Sequence, residues 1–211
     1  MHIPDGFLNV ATVATTCVVS AGGIGNAVRV ANRKLGEKHV PLMGVLAAFI
    51  FAAQMLNFPI AGGTSGHLIG AALAAILLGP WASVLIMSCV LIAQCLIFQD
   101  GGLLALGANI FNMGIIASFS SYYIYRGVTS FLGGGRGKLV SGFVAAWASV
   151  LLASIACAIE LAVSGASPLA VVLPAMAGFH ALIGIGEGLI TVGVLSFVVV
   201  TRPDLLQLQR I

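Results

Sequence analysis

Charged side chains are scarce in this chain. Its 211 residues include nine Lys or Arg and six Asp or Glu, so that 7% carry a charge, while 60% are hydrophobic. A typical soluble domain has about 25% charged residues. This deficit excludes a soluble globular domain and indicates an integral membrane protein.

The sequence also lacks the short alternating segments of a membrane β-barrel, which favours an all-α bundle. We predict one domain over residues 1–211 with seven transmembrane helices. The apolar spans cover residues 8–30, 41–58, 67–78, 81–98, 103–125, 139–163 and 169–200. The third is short, and the last is too long for one straight crossing of a core about 30 Å thick. A break near Pro174, or near the glycines at 184, 186 and 188, is one way to fit it.

Motifs for two common chemistries are missing. The four cysteines lie inside apolar spans and form no Cys-x-x-Cys pair, so neither a zinc site nor an extracellular disulfide is indicated: Cys17, Cys89, Cys95 and Cys157. The glycine-rich run 133–138 has Leu132 where a phosphate-binding loop needs glycine, and Leu139 where it needs Ser or Thr. We therefore expect no ATP hydrolysis by this chain itself.

Under a seven-span count, every Lys and Arg falls on one side of the membrane. By the positive-inside rule that side is the cytoplasm, which puts the N-terminus outside and the C-terminus inside. The outer segments are then residues 1–6, 57–66, 99–102 and 164–168. The net charge of +3 is interpreted as anchoring to the lipid bilayer rather than as a nucleic-acid patch.

The first two residues form a metal chelate that needs almost no fold. The α-amine of Met1, the backbone amide nitrogen of His2 and the His2 imidazole Nδ1 can close one five-membered and one six-membered ring around a cation. Ni²⁺ or Cu²⁺ in a square-planar field favours such nitrogen donors and can displace the amide proton. His67, on the same predicted side after a glycine-rich loop, is the candidate fourth donor. Residues 1–7 are therefore the predicted chelating segment.

Four other polar residues are interpreted as surroundings of this site rather than as ligands. Ser65 and Asp100 belong to the outer loops, whereas His180 and Glu187 lie within the last apolar span, where polar groups are costly and usually paired. Because seven residues separate His180 from Glu187, they share roughly one helix face, and we predict that they hydrogen-bond to each other.

A second function class fits the Gly-Thr-Ser-Gly run at 63–66. An intramembrane serine protease would use Ser65 as nucleophile with His180 as its base. That serine follows only the second span, however, and the model leaves His67 unused. The protease remains the alternative from another class.

Five blocks in order resemble the NikM/CbiM family, the substrate-binding membrane components of energy-coupling factor (ECF) transporters for nickel and cobalt. They are Met-His-Ile-Pro-Asp-Gly-Phe-Leu at 1–8, Gly-Thr-Ser-Gly-His at 63–67, Phe-Gln-Asp-Gly-Gly at 98–102, Leu-Gly-Ala-Asn-Ile-Phe-Asn-Met at 106–113, and Phe-His-Ala-Leu-Ile-Gly-Ile-Gly-Glu-Gly-Leu-Ile-Thr at 179–191. The resemblance implies a six-helix core plus an added N-terminal helix, and an inward-tucked terminus that binds the ion through Met1, His2 and His67. It implies Ni²⁺ as transported ligand, with Co²⁺ as the alternative, and no organic cofactor.

The resemblance also implies a multi-pass protein of a prokaryotic plasma membrane, with partners. These are a transmembrane coupling subunit, two ATPase subunits and a small accessory membrane subunit. Ala48 and Ala52 resemble the small-residue pair by which the first core helix of such components meets the coupling subunit. Ala71 and Ala75 offer an equally good pair.

Overall fold

Helices make up most of the computed structural model, which describes residues 1–36, 39–202 and 205. In chain order they are α1 (Val10–Lys34), α2 (Val40–Gln54), α3 (Ala71–Leu78), α4 (Pro80–Phe98), α5 (Leu106–Asn109), α6 (Ala117–Leu132), α7 (Gly134–Val163) and α8 (Leu169–Thr201). A π-helical segment, Ile110–Ile116, joins α5 to α6 without a break. If α5, the π segment and α6 are counted as one helix, the described residues contain seven, as predicted.

Within the part of the chain that the structure describes, four helices are long and apolar enough to cross a membrane: α1, α4, α7 and α8. In contrast, α3 has eight residues and is only about 12 Å long. It is followed at once by α4, because Gly79 has a positive φ of 87° and Pro80 opens the next helix. The predicted short third span is therefore a half-helix that turns directly into the fourth.

The expected break in the last span is not present. Helix α8 runs unbroken for 33 residues and contains Pro174 in its first turns, so it is about 50 Å long. Helix α7 begins at Gly134, five residues before the predicted start of its span. Arg136 and Lys138, predicted to lie in a loop, are therefore helical. Of the other basic residues used for orientation, Lys38 and Arg210 lie outside the described residues.

One departure from the all-α prediction lies in the loop between α2 and α3. Two short strands, β1 (Phe58–Pro59) and β2 (Ser65–Gly66), pair antiparallel. A Cβ at Gly66 would lie 2.9 Å from the Phe58 ring, so only glycine permits this close pairing. The resulting hairpin carries Ser65 and, directly after it, His67.

Contacts join residues that lie in or near the segments predicted to be outside. Asn57 Nδ2 donates to Asp100 Oδ2 at 2.9 Å, which links the loop after α2 to the loop after α4. Asn9, which caps α1, also donates from Nδ2 to the Val163 carbonyl at the end of α7. These segments thus meet at one end of the bundle. That this end faces outward stays a prediction.

Candidate metal centre

The N-terminal segment enters the interior of the bundle. Met1 and Ile3 are fully buried, and His2 is 5% exposed. Ile3 donates its N–H to Asn109 Oδ1 at 2.8 Å, while Asn109 Nδ2 donates to the Ile3 carbonyl at 3.2 Å. Gly102 N–H adds a third bond to the same carbonyl at 2.8 Å. The side-chain amide of Asn109 in α5 thus pairs with the backbone of Ile3 in the way that a neighbouring β-strand would.

Asp5 fastens the outer part of this segment. Its carboxylate accepts hydrogen bonds from the consecutive N–H groups of Leu103, Leu104 and Ala105 at 3.0, 2.8 and 3.3 Å. A Cβ at Gly102 would clash with Asp5, so the loop approaches the segment this closely only with glycine there. Because hydrogen bonds fix both Ile3 and Asp5, the N-terminal segment lies at a defined depth in the bundle.

Ser65 is the common acceptor for the first two nitrogens of the chain. The Met1 amine donates to the Ser65 carbonyl oxygen and, at 2.9 Å, to its Oγ. The His2 amide N–H donates to the same Oγ at 3.1 Å. The amine and the amide therefore face the same side. A cation that replaced the amide proton would also replace this hydrogen bond.

The imidazoles of His2 and His67 stack, with ring centroids 4.5 Å apart and planes 23° from parallel. His2 Nε2 lies 3.0 Å from Gln94 Oε1, and His67 Nδ1 lies 2.7 Å from the Leu68 carbonyl oxygen. Because both partners can only accept, these two ring nitrogens carry the protons. Lone pairs are left on His2 Nδ1 and His67 Nε2.

These two nitrogens are buried, and neither has a hydrogen-bond partner among the described residues. Asp100 Oδ1 lies 3.3 Å from His2 Nδ1, but two acceptors make no hydrogen bond. Buried imidazole nitrogens are normally satisfied. Two unsatisfied ones beside a buried amine and amide fit a cation, and they are the atoms that the sequence predicted for His2 and allowed for His67.

Burial keeps the donors of the terminus unprotonated. Removal from water lowers the pKa of the Met1 amine from 8.0 to about 5. Burial, and then the neighbouring amine, lower the pKa of His2 from 6.5 to about 3. Burial also raises the pKa of the Asp100 carboxyl, although the amine opposes this shift. At neutral pH the amine and the His2 ring therefore offer free lone pairs.

Among residues 1–36, 39–202 and 205, no group of three or more His, Cys, Asp or Glu side chains is placed to hold a metal. The candidate centre has only two such side chains at its heart, because its other donors belong to the backbone. Gln94, Asn109 and Asp5 were missed from sequence as its supports. Gln94 and Asn109 could have been suspected, since buried amides in apolar spans are costly unless paired.

The predicted His180–Glu187 pair is wrong. Glu187 instead accepts from the backbone of Ile69 and Gly70, and His180 Nδ1 lies 2.8 Å from the Met176 carbonyl. Seven residues do share a helix face, but they are separated by about 10 Å along the axis. That distance is beyond the reach of these side chains.

The protease alternative gains no support from this geometry. No histidine nitrogen of the described residues hydrogen-bonds to Ser65 Oγ, which instead accepts from the amine of Met1 and the amide of His2. His180, the imagined base, has a buried Nε2 without a partner in the described chain. A nucleophile and its base are expected within hydrogen-bond reach.

The two candidate docking pairs differ in exposure. Ala48 and Ala52 lie on the exposed face of α2, beside the exposed Val45. Ala71 and Ala75 in α3 are fully buried. Only the pair in α2 is therefore open to a neighbouring helix.

The family model CbiM, described as "Cobalt uptake substrate-specific transmembrane region", matches residues 2–205. The chain is 36% identical over 225 residues to the fused nickel transport protein NikMN of Rhodobacter capsulatus, covering all of this chain and 65% of that protein. It is 31% identical over 215 residues to the cobalt transport protein CbiM of Sorangium cellulosum, covering 98% of this chain and 94% of that one.

Solved structures agree with the fold. One described as a truncated transition metal transporter superposes with a TM-score of 0.91 at 37% sequence identity, covering 94% of this chain and 98% of that one. A second, described as a transition metal transporter, gives a TM-score of 0.90.

Proposed function

Because this chain belongs to the CbiM family, we propose that it is the metal-binding membrane component of an ECF-type importer and that it captures Ni²⁺ at the outer face. The ion is held by four nitrogens: the Met1 amine, the His2 amide, His2 Nδ1 and His67 Nε2. The chain supplies capture, while separate subunits supply ATP hydrolysis. This function fits the absence of a complete phosphate-binding loop in the sequence.

The observation that carries this proposal is the pair of unpartnered nitrogens. His2 Nδ1 and His67 Nε2 are buried, and no described residue hydrogen-bonds to either. Leaving a buried polar atom unpaired costs about 1–3 kcal/mol. A bound cation removes that cost at both atoms, whereas a purely structural role for the two rings would leave it standing.

Nickel is favoured over cobalt by the donor set. An amide nitrogen that gives up its proton is a strong in-plane donor, and a field of four nitrogens suits square-planar Ni²⁺. The relatives are named for nickel and for cobalt transport, so cobalt is the runner-up. Cu²⁺ would bind at least as tightly in vitro, since raw affinity follows the divalent-metal order.

The partners proposed are a transmembrane coupling subunit, two ATPase subunits and a small accessory membrane subunit in the plasma membrane of a prokaryote. The exposed face of α2 with Ala48 and Ala52 is the proposed contact with the coupling subunit, because small residues let two helices approach closely. Replacing both alanines by leucine should prevent assembly while leaving Ni²⁺ binding to the isolated chain unchanged.

The decisive experiment removes the free α-amine of Met1. One glycine placed before Met1 turns the amine into an amide and adds a residue where Met1 has no exposed surface. Tight Ni²⁺ binding should be lost, while the helical circular dichroism stays the same. The matched control is one glycine added after Ile211. An N-terminally extended protein that binds Ni²⁺ as well as the parent would overturn the proposal.

A further inference from the structure

We infer that Glu187 positions and polarises the His67 imidazole through one shared peptide group, so that a carboxylate on α8 tunes a metal ligand that it does not touch. This inference rests on the proposed function, because it concerns the His67 nitrogen that would face the ion. Glu187 is thus a positioning residue rather than a ligand.

The peptide between Leu68 and Ile69 is the connecting group. Its carbonyl oxygen, from Leu68, accepts from His67 Nδ1 at 2.7 Å. Its N–H, from Ile69, donates to Glu187 Oε2 at 2.6 Å. One planar unit thus accepts from the ring and donates to the carboxylate, which makes a continuous chain of hydrogen bonds from Glu187 to His67.

Two further contacts hold this chain in place. The second oxygen of Glu187 accepts from Gly70 N–H at 2.9 Å, so the carboxylate grips two consecutive amides. Gln54 Nε2 donates to the Ile69 carbonyl at 2.7 Å. Gly70 has a positive φ of 81°, and a Cβ there would lie 2.7 Å from the Ile50 side chain. The segment that follows His67 is therefore fixed from α2 and from α8.

The physical effect follows from cooperativity. A hydrogen bond to the N–H of a peptide makes its carbonyl oxygen a better acceptor, and each member of such a chain polarises the next. A stronger acceptor at Nδ1–H increases the electron density on the opposite ring nitrogen, Nε2. Metal-bound histidines commonly have a carboxylate or carbonyl at the second ring nitrogen, which fixes the tautomer and raises ligand basicity.

The two ring ligands differ in this respect. The second nitrogen of His2 faces the neutral amide oxygen of Gln94. His67 has a backbone carbonyl that is itself backed by a carboxylate. Gln94 and the relay therefore predict opposite tautomers in the metal-free protein: a proton on Nε2 in His2, and a proton on Nδ1 in His67.

Nitrogen NMR of protein with ¹⁵N-labelled histidine tests the tautomers without any change to the sequence. At neutral pH the His67 ring should carry its proton on Nδ1 with Nε2 as the bare nitrogen, while His2 shows the reverse. A His67 ring protonated on Nε2 would overturn the relay, since that ring could not donate to the Leu68 carbonyl.

Glu187→Gln tests the carboxylate with almost no change in volume. The amide group can accept from only one of the two N–H groups, and its own NH₂ faces the other. Ni²⁺ affinity should fall by about 10- to 100-fold, as is typical for outer partners of ligands. The d–d absorption band should move to longer wavelength, because the His67 donor is weaker.

Glu160→Gln is the matched control. Glu160 is also a buried glutamate of a long helix, but it accepts from Asn112 Nδ2 at 2.6 Å. Among the described residues, it makes no hydrogen bond to the relay from Glu187 to His67. Its substitution should leave the band position and affinity at the parent values. If both glutamine variants change the spectrum alike, or if Glu187→Gln changes neither quantity, the relay is wrong.

A double-mutant cycle separates positioning from general stability. In the His67→Ala background only the weaker binding by the Met1–His2 chelate remains, so Glu187→Gln should cause no further loss. An equal loss in both backgrounds would contradict a route through His67. Failure of the proposed function is a separate result: the protein with an extended N-terminus would still bind Ni²⁺. The NMR measurement of the tautomers uses metal-free protein and does not depend on that result.

Discussion

The number of protons released when Ni²⁺ binds follows from the burial of the terminus. Burial lowers the pKa of the Met1 amine from 8.0 to about 5 and that of His2 from 6.5 to about 3. At pH 7 both groups are then neutral. An exposed terminus with ordinary values would have its amine about nine-tenths protonated at that pH. The amide proton of His2 must leave in either case.

The buried site should therefore release about one proton per Ni²⁺ at pH 7, whereas an exposed Met-His terminus would release about two. Isothermal titration calorimetry in buffers of different ionisation enthalpy measures this number directly. The control is a short peptide with the sequence of residues 1–8. A release of two or more protons from the protein would refute the burial argument, and a release of none would refute amide deprotonation.

The same shift fixes how docking of the terminus depends on pH in the metal-free protein. Because the folded pKa of the amine is lower than its free value, the undocked terminus binds more protons between pH 5 and 8. Docking should strengthen as the pH rises through this window and weaken as it falls. Protection of the first residues from an aminopeptidase, measured across the window, reports this equilibrium.

Three further outcomes are expected. In Ni²⁺ titrations, His67→Ala should abolish tight binding. Ser65→Ala should leave binding measurable, because the Ser65 hydroxyl accepts hydrogen bonds and supplies no ligand atom. Labelling of Ser65 by a fluorophosphonate, together with Ni²⁺ binding that is kept in His67→Ala, would favour the protease instead. Asn109→Ala leaves the Ile3 N–H without its partner at a cost of about 1–3 kcal/mol, so Ni²⁺ affinity should fall by about 5- to 150-fold. A cysteine at Asn57 should react with a membrane-impermeant thiol reagent in intact cells and one at Gly134 should not; the reverse pattern would place the site in the cytoplasm.

The proposed ligands could be chosen from the sequence because their chemistry is local. An amine, the next amide and the imidazole of the second residue are joined by covalent bonds, so the chelate of Met1 and His2 needs no knowledge of the fold. His67 needed only the inference that its loop shares a side with the terminus. The count of seven helices followed in the same way from the lengths of the apolar runs.

The supports of the site could not be predicted, because their partners are distant in sequence. Glu187 binds a backbone amide 118 residues away, and Asn109 binds one 106 residues away. A backbone amide has no sequence signature, so polarity within an apolar span indicates that a partner exists without naming it. The predicted His180–Glu187 pair failed for this reason: helical periodicity gives the face of a helix and says nothing about what packs on it.

The π-helical segment Ile110–Ile116 determines how the residues before it are rotated about the helix axis relative to the residues after it. Each residue of a helix turns the chain by about 100°, and a π segment is commonly an α-helix with an extra residue accommodated. Asn109 lies just before the segment, facing Ile3, and Ser118 lies just after it, within 2.7 Å of Ser83. Deleting one residue between them would swing one of these contacts about a quarter of a turn out of phase with the other. The number of residues in this segment thus sets the rotation of Asn109 relative to Ser118 about the helix axis. The hydrogen bonds between Asn109 and Ile3 depend on that rotation.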